Sequence, residues 1–414
     1  MTPLPVPAVD EAEAWVAAHL GDLAGDEVRR SRRFRGDQVA ADAALAALDV
    51  TGYARRRNEV LPAERRGASG LSPWIRHGLL PLGEVWAAVA DGPPRDVAKY
   101  RDELAWQEYA RHLYARVGRA TGRALRHRPE PSAPWSGEAW DRSMACVSLC
   151  LDELEGDGWL VNQTRMWMAS QWTVRAGAEW TEGEDRFFAH LLDGSRAANR
   201  LGWQWTVGAG TGRPYGFSRR QVRRRAPGLC DGCTHRDACP IEDWPTDPDL
   251  PRVDAEPALR RDPAPEATAG PREPQGAGRP DAVWLTAESL GDRDPAVVAH
   301  PDLPRVFTFD EPLLGRLRLS GKRLVFLAEA LAGHAAAGAE VELHRGRPAE
   351  VLAGRAVAAT FAPVPGWRRL AARVDPVAVH PWPWLVRPGA GPVTSFSAWR
   401  KGVGRIRPPA PGSP

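Results

Sequence analysis

The sequence has no apolar run of the roughly 20 residues that a membrane-spanning helix requires. Its first residues, MTPLPVPAVDEAEAW, lack the basic and apolar regions of a secretory signal peptide. Cysteine is scarce: the five residues are odd in number and three are crowded together, which argues against a disulfide framework. These absences exclude a membrane partner and a disulfide-rich secreted domain, and we expect a cytoplasmic, monomeric protein.

A large excess of charge of one sign is also absent. The chain has 55 Lys and Arg against 52 Asp and Glu, and the net charge of +3 does not by itself indicate a nucleic-acid partner. The arginines are nevertheless clustered, at residues 29–33, 55–57 and 219–225. Such clusters can bind phosphate even in a nearly neutral chain, although each run taken alone is better explained as solvated surface.

Tyrosine and phenylalanine are few, at 5 and 9 residues, whereas tryptophan is abundant at 18. A dense group of these tryptophans lies between Trp135 and Trp205. Tryptophan is a large core residue, so packing is the simplest interpretation. It is also the side chain most easily oxidised by an excited chromophore, and the cluster is therefore a candidate electron relay.

The first part of the chain has the pattern of an all-helical domain. Apolar residues recur at helical spacing over residues 9–20 and 37–48, and helix follows helix from Trp74 to about Trp205. Glycine or proline separates most of these segments. The clearest predicted helices in the later stretch cover residues 96–118, 139–155, 162–176 and 184–193.

A change of composition follows this helical part. Residues 246–280 are rich in proline, alanine and charge, which predicts a linker or a disordered strap. Beyond it, short apolar runs alternate with a helical segment at 322–334, which indicates a small parallel, Rossmann-like α/β domain without a GxGxxG fingerprint. The predicted strands are 282–286, 305–309, 339–344 and 356–361. The predicted fold class is α + α/β, with a helical domain over 1–245, a Pro-rich linker over 246–280 and an α/β domain over 281–414.

Residues 158–205 place polar side chains at a spacing that suits a heteroaromatic ligand. Asn162, Arg165 and Met166 fall on one helical face, and Asp193 and Asn199 follow on later segments. Amide, guanidinium and carboxylate groups together can satisfy the donors and acceptors of an isoalloxazine ring. Buried Arg–Asp pairs are also common structural features, so this pattern alone does not identify the ligand.

Sequence motifs in this stretch are similar to the FAD domain of the photolyase/cryptochrome family. GWLVNQTRM, EWTEGEDRFF and LLDGSRAANRLGWQW resemble the family's G-W-x-x-N-x-x-R-M, D-W-R-x-G-E-x-x-F and L-x-D-G-D-x-A-x-N-x-x-x-W-Q-W. Upstream, TGYARRRNEVLPAERRGASGLSPWIRHG resembles its phosphate-side loop, and YRDELAWQEYARHL resembles its E-L-x-W-R-E-F-x-R-H helix. The resemblance covers roughly residues 26–245, in the family's order, and implies a helical domain that binds FAD.

This resemblance implies roles for individual side chains. The residues implied for FAD binding are Tyr53, Ser69, Gly70, Leu71, Ser72, Tyr100, Arg165, Asp193, Ser195 and Asn199. Those implied for the pocket that receives a DNA lesion are Glu103, Trp106, Asn162, Met166 and Trp205. Trp106 and Trp205 would stack on bases. Glu103 would donate a hydrogen bond to a pyrimidine carbonyl, which requires that the pKa of its carboxyl group is raised. In the electron-transfer chain, Trp203 would be proximal, Trp180 middle and Trp140 distal, with Trp135 as the rival for the distal position.

The sequence also departs from the family's pattern. Ser195 replaces the second aspartate of D-G-D, while Gln163 and Gln107 each stand where the family has arginine. The segment GFSRRQVRRRAPGLC replaces the usual F-N-P-x-x-Q. The lost arginines weaken phosphate contacts. We expect other arginines to bind DNA instead: Arg57, Arg219, Arg220 and Arg223.

Cys230, Cys233 and Cys239 form the motif C-x2-C-x5-C-P, which outside a disulfide context suggests zinc or an iron–sulfur cluster. Iron–sulfur bacterial members of the family carry a fourth cysteine nineteen residues before the flavin-side arginine, and Cys146 has that spacing from Arg165. The resemblance therefore implies a [4Fe-4S] cluster on these four cysteines. Zinc on the same ligands is the alternative, and four reduced thiols without a metal are the simplest interpretation. His235 is a further candidate ligand, although a solvated loop histidine is the simpler interpretation.

The end of the chain resembles the family's antenna domain. AVWLTAESLGDRDPAVV is similar to its first elements and TSFSAWRK to its last. The family's usual order puts this domain first, so the resemblance implies a circular permutation. Because the characteristic arginine of the first strand is missing, an antenna chromophore and a ligand-free scaffold both remain open.

The function that the resemblance implies is light-driven repair of UV-damaged DNA, in which reduced FAD donates an electron to a pyrimidine dimer. A cryptochrome-type photoreceptor that binds FAD without repair is the alternative, favoured by Gln163 and the altered segment at 216–225. A third reading is a structural iron–sulfur or DNA-binding relative that has lost photochemistry.

Overall fold

A computed structural model describes residues 2–130, 135–245 and 249–406. The part before residue 246 is dominated by helices. These are α1 (Ala12–Leu20), α2 (Gln38–Ala46), α3 (Tyr53–Arg56), α4 (Ser72–Arg76), α5 (Leu82–Ala88), α6 (Pro94–Val117), α7 (Ala145–Gly156), α8 (Asn162–Ala169), α9 (Trp180–His190), α10 (Arg196–Thr206) and α11 (Arg219–Arg225). A π-helical turn, Ser170–Arg175, continues α8, so the predicted helix over 162–176 is confirmed.

The later part of the chain alternates strands with helices. The helices are α12 (Pro265–Ala269), α13 (Pro295–Ala299), α14 (Glu311–Leu317), α15 (Gly321–Ala336), α16 (Pro348–Val351), α17 (Trp367–Val374) and α18 (Phe396–Val403). The strands are β1 (Thr2–Leu4), β2 (Ala282–Leu285), β3 (Arg305–Asp310), β4 (Val341–Gly346), β5 (Val357–Thr360) and β6 (Ala378–His380). They form one sheet in the order β1-β4-β3-β2-β5-β6, in which β2 to β6 are parallel.

The expectation that residues 1–245 are entirely helical is wrong at the N-terminus. Strand β1 pairs antiparallel with β4 at the edge of the sheet, with Pro3 opposite His344. A three-residue strand is too short to show period-two alternation, and proline is tolerated there because an edge strand needs few backbone donors. The first residues of the chain therefore complete the α/β part.

The predicted helix over 139–155 begins later than expected, at Ala145. The residues before it form a turn in which Asp141 accepts a hydrogen bond from the Ser143 backbone N–H at 2.8 Å. Such side-chain turns compete with the helix for backbone donors. The turn leaves the buried indole of Trp140 outside the helix.

The helical part and the α/β part share one hydrophobic core. Helix α1 packs on α15, and the Trp15 ring lies 5.7 Å from that of Phe309 on β3. Arg76 forms two hydrogen bonds to Glu288 at 2.6 and 2.8 Å across the same boundary. The relative placement of the two parts therefore rests on packing and paired charges.

Residues 249–280 pack against the helical part, which the prediction of a linker or disordered strap did not anticipate. Leu259 is buried, and Asp262 forms an ion pair with Arg116 of α6 at 3.1 Å in which both side chains are nearly inaccessible. The Trp384 indole donates to the Ala269 carbonyl at 2.8 Å. Small apolar residues and a buried ion pair thus fix a segment whose composition suggested disorder.

In the part of the chain that the structure describes, no helix combines the length and apolar character needed to cross a bilayer.

Glu329 of α15 ties the two parts together through a buried carboxylate. It is 1% exposed and accepts hydrogen bonds from Arg30 at 2.8 Å and from the Gly36 backbone at 2.6 Å, with Arg35 at 3.1 Å. We predict that Glu329→Ala lowers the free energy of unfolding by about 3 kcal/mol, because removing one partner of a buried pair leaves the others uncompensated.

Chemical denaturation followed by circular dichroism measures this effect. The matched control is Glu350→Ala, which removes a carboxylate from an exposed pair with Arg347 and should change stability by less than about 0.5 kcal/mol. Equal effects of the two substitutions would contradict the role given to Glu329.

Candidate functional site

The loop before α4 forms the first part of the site. Gly70 has a left-handed backbone (φ 74°), which turns the chain into the helix, and Leu71 behind it is buried. The Tyr100 hydroxyl, from α6, donates to Ser69 Oγ at 3.1 Å, and burial raises the pKa of Tyr100 to about 12. The loop is therefore anchored through a hydroxyl that stays protonated near neutral pH.

Two further aromatic residues complete this loop region. The Tyr53 ring packs edge-on against Tyr100 with centroids 4.8 Å apart, and burial also raises the pKa of Tyr53. The Trp159 indole donates to Ser72 Oγ at 3.0 Å. The structure thus places Tyr100, predicted to bind FAD, beside the residues predicted for the phosphate side of the ligand: Tyr53, Ser69, Gly70, Leu71 and Ser72.

Arg33 is a cation at this loop that the sequence reasoning did not single out. Its guanidinium lies 4.6 Å above the Trp159 ring, and one terminal nitrogen would be 3.2 Å from a Cβ at Gly70. Arg33 is exposed at its edge, but desolvation of the guanidinium against the loop, followed by the neighbouring Arg66, lowers its pKa. Within the described residues Arg33 forms no salt bridge, which leaves its charge available to an anion. The arginine run at 29–33 was the signal that could have identified it.

The second part of the site centres on α8 and α10. Arg165 donates to Asp193 Oδ2 at 2.7 Å and to the Leu160 carbonyl at 3.0 Å, and Asp193 is only 8% exposed. Ser195 caps α10 by accepting from the Ala197 backbone N–H at 3.2 Å, as serine commonly does at a helix start. The predicted Arg165–Asp193 pairing is therefore confirmed, and Ser195 has a structural role in the position of the lost aspartate.

Buried polar atoms without partners mark this second part. Asp193 Oδ1, Asn199 Nδ2 and Trp203 Nε1 are among the buried polar atoms that have no hydrogen-bond partner within the described residues. Unsatisfied buried polar groups are rare and costly, so each needs an explanation. One acceptor and two donors in a shared neighbourhood suit a ring that offers both donors and acceptors. The residues present thus fit a flavin.

The predicted lesion-pocket residues are partly engaged by the protein itself. Glu103 Oε1 contacts Lys99 Nζ at 2.8 Å and Arg57 Nε at 3.2 Å, so the carboxylate is held in salt bridges. The Trp106 ring stacks on Phe396 of α18 with centroids 4.0 Å apart and an interplanar angle of 11°. One face of that indole is therefore covered by a residue that sequence reasoning missed.

The remaining pocket residues are more accessible. Asn162 is exposed at the start of α8, Met166 is half-buried, and Trp205 of α10 is 39% exposed. Helices α8 and α10 pack together, which places these side chains on neighbouring elements. A planar ligand at the surface can therefore reach Trp205.

Aromatic residues connect the buried end of α10 with the surface. Phe187 lies between Trp203 and Trp140, with centroid separations of 5.3 and 5.6 Å. Trp172 packs edge-on against Trp140 at 4.7 Å. A Cβ at Gly183 would collide with the rings of both Trp203 and Trp172, so these indoles lie against the same glycine.

Trp172 was missed because it lies on the π-helical turn and belongs to none of the motifs. By contrast, the predicted middle residue, Trp180, is buried but makes no ring-to-ring contact with another aromatic residue in the described ranges. Trp135, the rival of Trp140, donates to the Glu138 carbonyl at 3.3 Å. The geometry thus favours Trp140 over Trp135 and adds Trp172 as a neighbour.

The four predicted metal-ligating cysteines line one small pocket between α7 and the loop after α11. The lining cysteines are Cys146, Cys230, Cys233 and Cys239. Burial, followed by the neighbouring thiols, raises the pKa of Cys146 to about 12. Cys150, one turn further along α7, is fully buried outside this pocket.

A ready-formed metal site is not seen at this pocket among the described residues. Over residues 2–130, 135–245 and 249–406, no three His, Cys, Asp or Glu side chains form a group that could hold a metal ion. His235 also lines the pocket, and its Nε2 lies 2.8 Å from Ser143 Oγ. The four cysteines therefore share one pocket, although their side chains form no compact metal-binding group among the described residues.

The arginines predicted to bind DNA divide into two kinds. Arg220 and Arg223 are exposed on α11 and form no salt bridge within the described part of the chain. Arg219 pairs with Glu242 at 2.7 Å and lines the cysteine pocket, while Arg57 pairs with Glu103. Of these four arginines, only Arg220 and Arg223 can contact phosphate without breaking an ion pair.

Comparison with known proteins shows a similarity to DNA photolyases over the middle of the chain. The family model of the FAD binding domain of DNA photolyase matches residues 100–223, which include Arg165, Asp193 and Asn199. The deoxyribodipyrimidine photo-lyase of a Synechococcus species is 32% identical over 180 residues, which cover 39% of this chain and 36% of that protein. Over this region the chain is similar to proteins of the photolyase/cryptochrome family.

Further photolyases and cryptochromes show the extent of the match. The deoxyribodipyrimidine photo-lyase of a Thermus thermophilus strain is 32% identical over 42% of this chain and 43% of its own length. The matched region thus spans less than half of these curated relatives. Among solved structures, a class III photolyase from Agrobacterium tumefaciens is 24% identical (TM-score 0.35; 41% of this chain, 37% of that one). A cryptochrome from Synechocystis sp. PCC6803 is 21% identical (TM-score 0.41; 48% and 45%).

Proposed function

We propose that this protein is an FAD-dependent DNA photolyase that uses blue light to split UV-induced pyrimidine dimers. The observation that carries the proposal is the set of buried, unpartnered atoms of Asp193, Asn199 and Trp203 in the described residues, beside the Arg165–Asp193 ion pair. Bound flavin supplies the light absorption and the electron. The protein's own residues supply binding, orientation and exclusion of water.

Each group of residues has a distinct part in this mechanism. The Ser69–Ser72 loop with Arg33 offers hydroxyls, backbone N–H groups and a positive charge to the two phosphates of the cofactor. Arg165 and Asp193 orient the ring, and the Asn199 amide is a neutral hydrogen-bond donor that holds no mobile proton. Trp205 presents a partly exposed indole on which an extruded base can stack.

A second candidate function is a cryptochrome-type photoreceptor without repair. Two observations favour it: Glu103 is held by Lys99 and Arg57, and one face of Trp106 is covered by Phe396. Both arrangements must open before these side chains contact a pyrimidine dimer. The two functions share the flavin pocket and differ only in whether a DNA lesion enters beside the flavin and is repaired.

A repair assay separates the two functions. The purified protein is illuminated with blue light in the presence of oligonucleotides carrying a cyclobutane dimer or a (6-4) product, with dark samples as controls. We expect light-dependent loss of one lesion and recovery of the undamaged pyrimidines. A flavin-bound protein that leaves both lesions intact would overturn the repair proposal and support the photoreceptor.

We also infer a [4Fe-4S] cluster on Cys146, Cys230, Cys233 and Cys239. A single zinc ion needs all four sulfurs about 2.3 Å from one centre, whereas a cluster bonds each cysteine to a different iron and needs a wider space. The lining of one pocket by all four cysteines supports a shared metal group, and metal analysis distinguishes a cluster from zinc. Apolar neighbours such as Val222 and Ile241 would shield the cluster from water.

The domain order is a further part of the proposal. A helical FAD domain followed by an antenna-like α/β domain would be the reverse of the family's usual order. The parallel strands β2 to β6, all after residue 281, support this reading. Close chain termini make a permutation physically tolerable, and β1 supports the idea because it places the N-terminus on the sheet of the last domain.

A further inference from the structure

Three aromatic side chains form a row that we call the aromatic ladder: Trp205 and Trp244 are exposed, and Tyr215 between them is half-buried. The Trp205 and Tyr215 rings are 5.5 Å apart, and the Tyr215 and Trp244 rings are 6.1 Å apart. Trp244 is 51% exposed. In the described part of the chain, Trp205 and Trp244 are the exposed large aromatic residues, and both belong to this row. Adjacent exposed aromatic rings are unusual on a protein surface without a partner.

The ladder is held rigidly from below. The Tyr215 hydroxyl accepts hydrogen bonds from Gln163 Nε2 at 3.0 Å and from Gln221 Nε2 at 2.8 Å. A Cβ at Gly216 would lie 2.9 Å from the Trp244 indole and 2.6 Å from Pro245, so Trp244 packs flush against the glycine backbone. The rings are therefore preorganised, and a ligand that stacks on them loses little side-chain entropy.

Two residues at which the sequence departs from the family's pattern, Gln163 and Gln221, contact the aromatic ladder. Gln163 stands where the resembled family has an arginine, and Gln221 lies in the segment that replaces the family's F-N-P-x-x-Q. Both side chains now donate to the same hydroxyl of Tyr215. The two glutamines thus hold an aromatic side chain at a place where the family's arginine would contact a phosphate directly.

Positive charge borders the ladder. Gln221 ties α11 to Tyr215, and exposed α11 side chains that form no salt bridge within the described residues are Arg220, Arg223 and Arg224. The acidic neighbours are compensated, since Glu242 pairs with Arg219 and the charge of Asp243 faces Arg175. A polyanion with flat, apolar faces is the ligand that matches rings and arginines together.

We propose that the aromatic ladder binds unpaired DNA bases next to the lesion, with Trp244 stacking on a base beyond the one that Trp205 receives. This inference rests on the proposed DNA-directed function, because Trp205 belongs to both surfaces. Paired bases inside a duplex have their faces covered by neighbours, so only an unstacked strand can use the exposed rings. The arginines of α11 contact the phosphates of the same strand.

The test measures binding of an undamaged single-stranded oligothymidylate of about a dozen nucleotides by fluorescence anisotropy of an end label. We expect Trp244→Ala to weaken binding about tenfold, since base–aromatic stacking contributes that order of magnitude per base. Gly216→Ala should weaken it similarly by displacing the indole without removing it. The control is Val39→Ala, which changes a side chain on α2 that is 79% exposed and should leave affinity unchanged.

The outcomes separate this inference from the repair proposal. If Trp244→Ala binds single strands as tightly as the unmodified protein, the ladder does not bind bases, whether or not the protein repairs lesions. If Trp244→Ala and Gly216→Ala both lose single-strand affinity while the unmodified protein repairs neither lesion, the ladder stands and the repair proposal fails. A protein that binds no DNA at all overturns both.

Discussion

Cys146→Ser will yield protein without iron, while Cys150→Ser will retain its full iron content. Cys146 lines the four-cysteine pocket, and Cys150 lies one helical turn away outside it, so the pair differs in position and not in chemistry. A [4Fe-4S] cluster that loses one of four thiolates is expected to be lost during purification. The measurements are metal analysis, with about four irons per chain expected in the unmodified protein, and the broad visible absorbance of the cluster.

The same substitution should also lower stability. The cluster would join α7 to the loop 229–241, adding to contacts such as the Thr234 hydroxyl, a donor to the Ser143 carbonyl at 2.8 Å, and the buried Ile241. Metal binding to a folded site contributes directly to folding free energy, so the loop should become sensitive to proteolysis in Cys146→Ser. Stoichiometric zinc in the unmodified protein would overturn the iron–sulfur assignment. Full iron in Cys146→Ser would place the ligands elsewhere.

Asp193→Ala should purify with little bound flavin. Arg165 would lose its 2.7 Å partner and remain as an unpaired, largely buried cation against the ligand ring. Truncating one member of a buried charge pair at a binding site costs about 2–5 kcal/mol, which corresponds to a loss of affinity of about 30-fold or more. Flavin released by denaturation and counted per chain measures the effect, and titration of the apoprotein with FAD gives the affinity directly.

Two further variants sharpen this experiment. Asp193→Asn keeps an acceptor for Arg165 but removes the charge, so we expect an intermediate affinity. Asp185→Ala removes an exposed carboxylate on α9, 63% accessible and paired with Arg196, and should leave flavin binding unchanged. An unfolding curve for each variant separates a lost pocket from a lost fold. Undiminished flavin in a folded Asp193→Ala protein would mean that the ring lies elsewhere.

Local sequence signals accounted for much of the architecture. Helix α6, Pro94–Val117, begins at a proline and ends at Gly118 with a left-handed backbone, so propensity and stop signals coincide with the helix predicted over 96–118. The parallel strands after residue 281 follow short apolar runs, and their burial confirms the α/β prediction. These features depend on neighbours within a few residues, which is why periodicity and composition suffice to predict them.

The candidate site was predictable to a different degree. The Arg165–Asp193 contact was expected because both residues lie in ordered motifs separated by compatible helical segments, and the structure confirms it. The proximity of Cys146 to the later three cysteines was expected only from the family resemblance, since more than 80 residues separate Cys146 from Cys230 in the chain. Spacing alone identifies which residue types are available and does not determine which of them meet.

By itself, then, the sequence determined the helical and α/β halves, the order of the motifs and the side chains available for binding and chemistry. Only the tertiary structure decided that β1 joins the sheet, that Phe396 covers Trp106, and that Gln163 and Gln221 meet on one hydroxyl. The physical reason is that these contacts join segments far apart in the chain. Their energies come from burial and hydrogen bonds that exist only once the whole core has formed.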